Sequence, residues 1–412
     1  MSELTFDRKL RNYAELAIKM GVGLQPGQRL LVRAPVDSAP LVRLITEAAY
    51  KAGSPLVEVL WGDDALTLAR FNYAPRDSFE AYPDWYVSAL LEIAECGGAV
   101  LSVLATDPDL LKDQDPELVA LTQKVHRTKT QPFMKKLMND DLNWSIISQP
   151  IPGWAAKIFP GEPPAAQMSK LWDVIFVVCR ADQPDPVAAW QAHIAHLAER
   201  RDKLNAKQYT ALKYSAPGTD LTLGMPKHHL WHAGQKKTLG GIPFIPNIPT
   251  EEVFSAPHKD RVDGIVTSTK PLSYGGRLID NFTLTFEQGR VVSVTAEKGE
   301  DTLKKLLEMD EGAARLGEVA LVPHSSPISQ SGLLFFNTLF DENAASHLAL
   351  GKAYRFCVKG GTEMDDDRFA AVGGNNSLTH VDFMIGSKEM DIDGVTGSGH
   401  TEPLMRGGEW VD

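Results

Sequence analysis

The segment LLVRAPVDSAPLVRLITEAAYKAGSPLVEVL, residues 30–60, carries the pattern that decides the fold of the first half of the chain. Leu30-Leu31-Val32 predicts a short buried strand, and Leu56-Val57-Glu58-Val59-Leu60 predicts the next one. Between them, apolar residues recur at helical spacing from Leu41 to Ala49, and Gly53 ends that helix. Strands that alternate with helices in this way imply an α/β domain with a largely parallel sheet.

The alternation extends outward from this segment to about residue 215. Four more helices and two more strands are predicted, at residues 13–20, 85–94, 117–124 and 186–204 and at residues 99–104 and 144–148. Beyond residue 215 helices become sparse and short alternating runs appear, with Glu287-Gln288-Gly289-Arg290 as a hairpin turn. Because 412 residues exceed one ordinary core, we predict an α/β domain over residues 1–215 and a strand-rich α+β metal-binding domain over residues 216–412.

Composition excludes several classes of protein. A hydrophobic content of 43% with 23% charged residues is typical of a globular protein, and no apolar run is long enough to cross a bilayer. The net charge of −11 argues against a nucleic-acid partner. The N-terminus shows no secretory signal pattern, and the three cysteines are odd in number and scattered, which favours a cytoplasmic location. Dinucleotide, P-loop and GxSxG motifs do not occur.

Histidines are concentrated in the second half, where eight of the eleven follow residue 215, and we look for the chemistry there. The sharpest motif is His380-Val381-Asp382. If it is extended, His380 and Asp382 share one face while Val381 and Phe383 point into a core. An imidazole beside a carboxylate suits a divalent cation. The alternative is a histidine at a strand edge beside a solvated aspartate.

Two further segments offer carboxylates. Glu318 lies in a predicted strand, Gly317 to Val322, with apolar neighbours on its own face. A carboxylate there is costly unless it is paired or bound to metal, although a strand end tolerates a solvated glutamate. Glu251 and Glu252 are adjacent in an extended segment, so only one of them can face a site. The residues alone do not choose between them, and both could be solvated.

The segment DENAASHLALG, residues 341–351, predicts a helix that is capped near its start and closed by Gly351. Five residues along a helix correspond to about 140° of rotation, so Glu342 and His347 would not share a face. If both bind metal, Glu342 must lie before or at the cap. A single histidine on a helix can equally be structural. Tyr354 would share the face of His347 only if the helix continued past Gly351.

Together these segments resemble the aminopeptidase T family, metal-dependent aminopeptidases that include aminopeptidase S and aminopeptidase II. The resemblance spans essentially the whole chain and is most specific in NIPTEEVF (247–254), HLALGKAY (347–354) and HVDFMIGS (380–387). The family pattern carries over six metal-site residues: Glu252, Glu318, Glu342, His347, His380 and Asp382. It assigns Tyr354 as the active-site tyrosine. It also implies a two-domain homodimer with the site in the C-terminal domain.

Four carboxylates and two imidazoles can hold two divalent metal ions, and zinc, cobalt, manganese and magnesium are all compatible with them. Two such ions lower the pKa of a shared water toward about 7. Tyr354 could donate to an oxyanion, and Glu318 is a candidate general base unless it bridges the ions. We therefore expect a metal-dependent aminopeptidase that acts on peptides with a free N-terminus. The alternatives are a two-metal amide or ester hydrolase with a non-peptide substrate, and a non-catalytic binding protein with a structural cation site.

Overall fold

The computed structural model describes residues 4–275 and 277–411. They form two compact units, one of Met1–His193 with Gln235–Pro249 and the other of Ile194–Gly234 with Thr250–Asp412. The domain boundary that we predicted after residue 215 stays a prediction. None of the helices in the described ranges is long and apolar enough to cross a membrane.

The first unit is built around a four-stranded parallel sheet in the order β2-β1-β3-β4. The strands are β1 (Leu30–Pro35), β2 (Val57–Gly62), β3 (Ala99–Leu104) and β4 (Trp144–Ser148). Its helices are α1 (Phe6–Leu16), α2 (Ala39–Lys51), α3 (Asp64–Tyr73), α4 (Asp84–Glu95), α5 (Pro116–Met138), α6 (Pro152–Ile158) and α7 (Pro164–Val178), and α8 (Pro186–Lys207) continues into the second unit. The predicted α/β fold with a parallel sheet is confirmed.

Apolar residues of the central strands hold this sheet to its helices. Leu31 of β1 pairs with Val100 of β3, and both pack against Leu90 and Ile93 of α4 and Phe133 of α5. Burial of such side chains stabilises the unit by about 1.5–3 kcal/mol each. The alternation of strand and helix therefore places its apolar residues in one core.

The second unit contains a nine-stranded antiparallel sheet. In sheet order its strands are β12 (Leu272–Tyr274), β13 (Arg277–Glu287), β11 (Val262–Thr267), β6 (Thr219–Gly224), β5 (Ala211–Ala216), β18 (Asp391–Val395), β19 (Thr401–Arg406) and β20 (Glu409–Trp410), with β14 (Arg290–Lys298) also on β13. Glu287 pairs with Arg290, so the predicted hairpin is confirmed. The strand-rich second half is likewise confirmed.

A second antiparallel sheet of this unit has five strands in the order β17-β16-β15-β10-β7. These are β17 (His380–Met384), β16 (His347–Gly351), β15 (Leu316–Leu321), β10 (Val253–Ser255) and β7 (His232–Ala233). The other α-helices are α9 (Glu300–Leu307), α10 (Pro327–Ser331), α11 (Thr338–Asp341) and α12 (Asp366–Ala371). A short hairpin of β8 (Lys236–Lys237) and β9 (Pro243–Phe244) belongs to the first unit.

The predicted helix over residues 341–351 is wrong. Helix α11 ends at Asp341, a 3₁₀ turn covers Glu342–Ala344, and His347–Gly351 is strand β16. This strand lies between β15 and β17, so neighbours on both sides bind its backbone and bury all five residues. Gly351 has φ +101° and a Cβ there would lie 2.2 Å from the Thr379 carbonyl oxygen. The glycine therefore permits close strand packing and does not end a helix.

Candidate metal centre

The register of the five-stranded sheet puts four of the six predicted ligands on one face. Directly opposite residues in antiparallel strands share a face, and side chains along each strand alternate. Ala349 lies opposite both Glu318 and Asp382, and Gly351 lies opposite His380. The same face also carries His347, two residues before Ala349 on β16. On β15, β16 and β17 the other face is apolar and carries Val319, Leu321, Leu348, Leu350, Val381 and Phe383.

Small residues separate the ligands on that face. Ala320 is opposite His347 and two positions from Glu318, while Ala349 is between Glu318 and Asp382. Because the side chain of alanine is only a methyl group, the longer side chains of neighbouring residues can enter the space above it. The larger side chains therefore meet above Ala320 and above Ala349.

The first group of ligand atoms belongs to Glu252, Glu318 and His347, and these atoms lie within 4.8 Å of one another. Nε2 of His347 is 3.3 Å from Oε2 of Glu252 and 3.5 Å from Oε1 of Glu318. Nδ1 of His347 is 3.1 Å from the carbonyl oxygen of Ala345. Because a carbonyl oxygen only accepts, Nδ1 carries a hydrogen, and Nε2 is the nitrogen that faces the carboxylates.

The second group consists of Glu318, His380 and Asp382, again within 4.8 Å. Nε2 of His380 is 3.6 Å from Oε2 of Glu318 and 3.3 Å from Oδ1 of Asp382. Nδ1 of His380 donates to the carbonyl oxygen of Lys352 at 2.7 Å. Glu318 thus belongs to both groups, with one carboxylate oxygen beside each imidazole.

Three buried polar atoms of this cluster lack a hydrogen-bond partner in the described part of the chain: Oε2 of Glu252, Nε2 of His347 and Oδ1 of Asp382. Buried polar atoms are normally satisfied, because an unpaired one costs about 1–3 kcal/mol. Here the three belong to the two ligand groups. Carboxylate and imidazole donors in this arrangement fit divalent cations.

The electrostatics of the cluster reflect crowded carboxylates in a dry site. Burial raises the pKa of Glu318 to about 7, and it raises the pKa of Glu342 well above its usual value. Burial alone would lower the pKa of His347, but Glu252 and Glu318 beside it raise that pKa well above its usual range. Burial opposes ionisation of Asp382, yet His380 lowers its pKa. A divalent cation would replace the protons that otherwise relieve this repulsion.

The remaining predicted site residues lie beside these two groups. Glu342 belongs to neither group. Burial is the main cause of its raised pKa, and the nearby carboxylates of Glu252 and Asp382 raise that pKa further. The ring of Tyr354 is 4.9 Å from that of His380, centroid to centroid, and the tyrosine is partly buried.

The neighbours Glu251 and Glu252 behave differently. Glu252 enters the first ligand group, whereas Glu251 does not. The backbone N–H of Glu251 donates to Oδ1 of Asn343 at 2.7 Å, and Asn343 is fully buried. The sequence reasoning missed Asn343 and the spacers Ala320 and Ala349. The period-two pattern of residues 316–321 and 347–351 is the signal that could have indicated the two alanines.

Comparison with known proteins agrees with this picture. The model of a family described as thermophilic metalloprotease (M29) matches residues 6–410. Aminopeptidase 2 of Geobacillus stearothermophilus is 50% identical over 98% of both chains, and aminopeptidase AmpS of Bacillus subtilis is 48% identical over 99% of both. A solved structure, wild-type AmpT from Thermus thermophilus, superposes with a TM-score of 0.93 at 44% identity, covering 99% of this chain and 100% of that one.

These matches extend over both compact units and over every segment that carries a predicted site residue. The prediction of a metal-dependent hydrolytic enzyme is thereby confirmed, as is the predicted family. The chain belongs to the M29 family of thermophilic metalloproteases.

Proposed function

We propose that this chain is an aminopeptidase that removes N-terminal residues from peptides at a site with two divalent metal ions. The observation that carries the proposal is the position of Glu318, whose two oxygens face the two imidazoles of separate ligand groups. The names of the relatives, aminopeptidases 2 and AmpS, support the exopeptidase activity. The unpartnered buried atoms support the presence of cations.

In this proposal Glu252, Glu318 and His347 hold one ion, and Glu318, His380 and Asp382 hold the other. When bound, the two ions supply Lewis acidity and lower the pKa of a water toward about 7. Glu318 would help to hold both ions, and it would then be a poor proton acceptor. Glu342 lies outside both groups, so we assign it as an additional, weaker ligand. Zinc, cobalt, manganese and magnesium all suit these oxygen and nitrogen donors.

Tyr354 is the proposed donor to the oxyanion of the transition state. Burial raises the pKa of its hydroxyl above the usual value, and the carboxylate of Glu318 raises it further. The hydroxyl therefore stays protonated near neutral pH and can donate a hydrogen bond. A donor aimed at the developing charge is worth about 10²–10³ in rate.

The substrate is a peptide with a free N-terminus, because release of N-terminal residues requires a site that recognises the α-amine. We also propose a homodimer, from the resemblance to the aminopeptidase T family, and a cytoplasmic location, from the three scattered cysteines.

The test uses aminoacyl-arylamides and their N-acetylated counterparts. The protein is stripped with chelator, reloaded with each of the four metals, and assayed for both substrates while bound metal is counted. We expect activity to return with about two ions per chain and only on the free-amine substrate. Equal hydrolysis of the acetylated substrate would favour a two-metal hydrolase of other amides or esters. Full activity after exhaustive chelation would contradict the metal centre itself.

A further inference from the structure

Aromatic side chains form a continuous surface beside the metal centre. We call the set His232, Phe254, Phe356 and Tyr354 the aromatic arc. The ring centroid of Phe356 is 5.0 Å from that of His232, 6.3 Å from that of Phe254 and 5.3 Å from that of Tyr354. All four residues are partly exposed. The proposed mechanism uses Tyr354 but gives no role to the two phenylalanines.

The sheet register fixes where the arc begins. Phe254 lies opposite Ala320, and Ala320 lies opposite His347, so the three share the face that carries the ligands. Two strand spacings, about 10 Å, separate the backbone of Phe254 from that of His347. On this face of the sheet, the residue between Phe254 and His347 is Ala320, whose side chain is a single methyl group. Phe254 therefore borders the first ligand group. Glu252, a member of that group, lies two residues before Phe254 in the chain.

The other end of the arc meets the second ligand group. Tyr354 packs against Phe356 with an interplanar angle of 10°, and its ring is 4.9 Å from that of His380. Phe254 and Phe356 thus connect the two ligand groups along one side of the centre.

A buried apolar cluster supports the arc from behind. Phe254, Tyr354 and Phe356 pack against the cluster formed by Ala256, Ala353, Cys357, Val358 and Phe369. Close packing against this cluster restricts the rings, and each of the three residues remains partly exposed. An exposed apolar surface of this kind beside polar ligands is typical of a binding pocket.

We propose that Phe254 and Phe356 contact the side chain of the substrate's N-terminal residue and determine which residues are released fastest. The inference rests on the proposed aminopeptidase function. The two rings offer apolar contact and neither a hydrogen bond nor a counter-charge. Leucyl and phenylalanyl substrates are therefore preferred over alanyl and glutamyl ones.

The test compares kcat/KM ratios between substrates. Ratios are needed because Phe254 lies two residues after the proposed ligand Glu252, so its substitution can also disturb metal binding. Phe254→Ala and Phe356→Ala are assayed for kcat/KM on leucyl-, phenylalanyl-, alanyl- and glutamyl-arylamides, with metal content measured in parallel. We expect the leucyl-to-alanyl ratio to fall about tenfold or more in each variant at unchanged metal content. Phe254→Leu and Phe356→Leu should retain most of the leucyl preference. Ile265→Ala, at a residue 45% exposed on β11, is the matched control and should leave the ratio unchanged.

Two results would overturn the inference. The first is a wild-type protein that shows no leucyl preference, and the second is an equal loss on all substrates in both alanine variants, as a purely structural role would give. Failure of the proposed function looks different, because the metal-loaded wild-type protein would then hydrolyse none of the four arylamides.

Discussion

At the scale of single residues, backbone carbonyls select which nitrogen of each imidazole faces the centre. Nδ1 of His347 donates to Ala345 and Nδ1 of His380 donates to Lys352. Nε2 of each imidazole therefore faces the carboxylates, where a cation can replace its proton. Such orientation by backbone partners is usual for metal-binding histidines, and it reduces the rearrangement needed when a cation binds.

The adjacent glutamates give the sharpest residue-scale prediction. Glu252→Gln should lower metal affinity by more than about tenfold and nearly abolish arylamide hydrolysis, because Oε2 of Glu252 lies 3.3 Å from the imidazole of His347. Glu251→Gln is the matched variant and should keep bound metal and most of the activity. Metal stoichiometry and kcat/KM on the same preparations decide between them. Loss in Glu251→Gln with retention in Glu252→Gln would reverse the assignment.

A second residue-scale prediction separates catalysis from metal binding. Tyr354→Phe keeps the ring that packs on Phe356 and His380 and removes only the hydroxyl. We expect kcat to fall about 10²–10³-fold with metal content unchanged, since one oxyanion donor is lost. Steady-state kinetics and metal analysis measure both. A variant that loses metal instead would identify Tyr354 as a support of the ligands.

At the scale of elements, the pleat of three neighbouring strands builds the centre. Strands β15, β16 and β17 each present ligands on one face and apolar residues on the other. A slip of one residue in either pairing would exchange these faces. The apolar face therefore fixes the register, and through it the positions of the ligands.

The spacer alanines give the element-scale prediction. Ala349→Val adds two methyl groups between Glu318 and Asp382, where the second ligand group meets. We expect loss of about one metal ion per chain and of most activity. The overpacking itself costs about 1–3 kcal/mol, so folding of the metal-free variant is checked by thermal unfolding. Ala296→Val on the hairpin strand β14 is the control and should retain both ions. Full metal content in Ala349→Val would show that the space is not needed.

At the scale of the whole molecule, the buried ionisable groups of the candidate metal centre link folding to pH. Burial raises the pKa of Glu318 from 4.5 to about 7. The pKa of His380 rises from 6.5 to about 9, because Asp382 outweighs the burial that would lower it. The carboxyl of Glu318 and the imidazole of His380 both bind a proton more tightly in the folded chain than in the unfolded one. Without metal, the stability they contribute is therefore lost as pH rises, between 4.5 and about 7 for Glu318 and between 6.5 and about 9 for His380.

We accordingly predict that metal stabilises the protein more at high pH than at low pH. Cations and protons compete for the same atoms, and ions at a hundred times their Kd stabilise by about 2.7 kcal/mol. Thermal unfolding of the chelated and the metal-loaded protein between pH 5 and pH 8 measures this difference. The gap in Tm should widen as pH rises. A constant gap, or one that narrows, would contradict the proton linkage.

Much of the architecture could be predicted from local pattern alone. The alternation in residues 30–60 predicts the parallel sheet, and the turn at residues 287–290 predicts the hairpin, because each depends on neighbours in sequence. Residues 347–351 were misassigned for the opposite reason. Their strand is stabilised by hydrogen bonds to β15 and β17, which lie far away in the chain, and Gly351 at its end resembles a helix cap.

The sequence by itself predicted the kinds of candidate ligand and their segments, and it identified the family to which the chain belongs. It could not determine which ligands meet, because the meeting depends on cross-strand register and on alanines that carry no chemical signal. Only the tertiary structure puts Glu318 in both groups, leaves Glu342 in neither, and separates Glu252 from Glu251. The physical reason is that contact across a sheet is set by pairing between distant segments, and a single sequence records the pattern of each strand but not its partner.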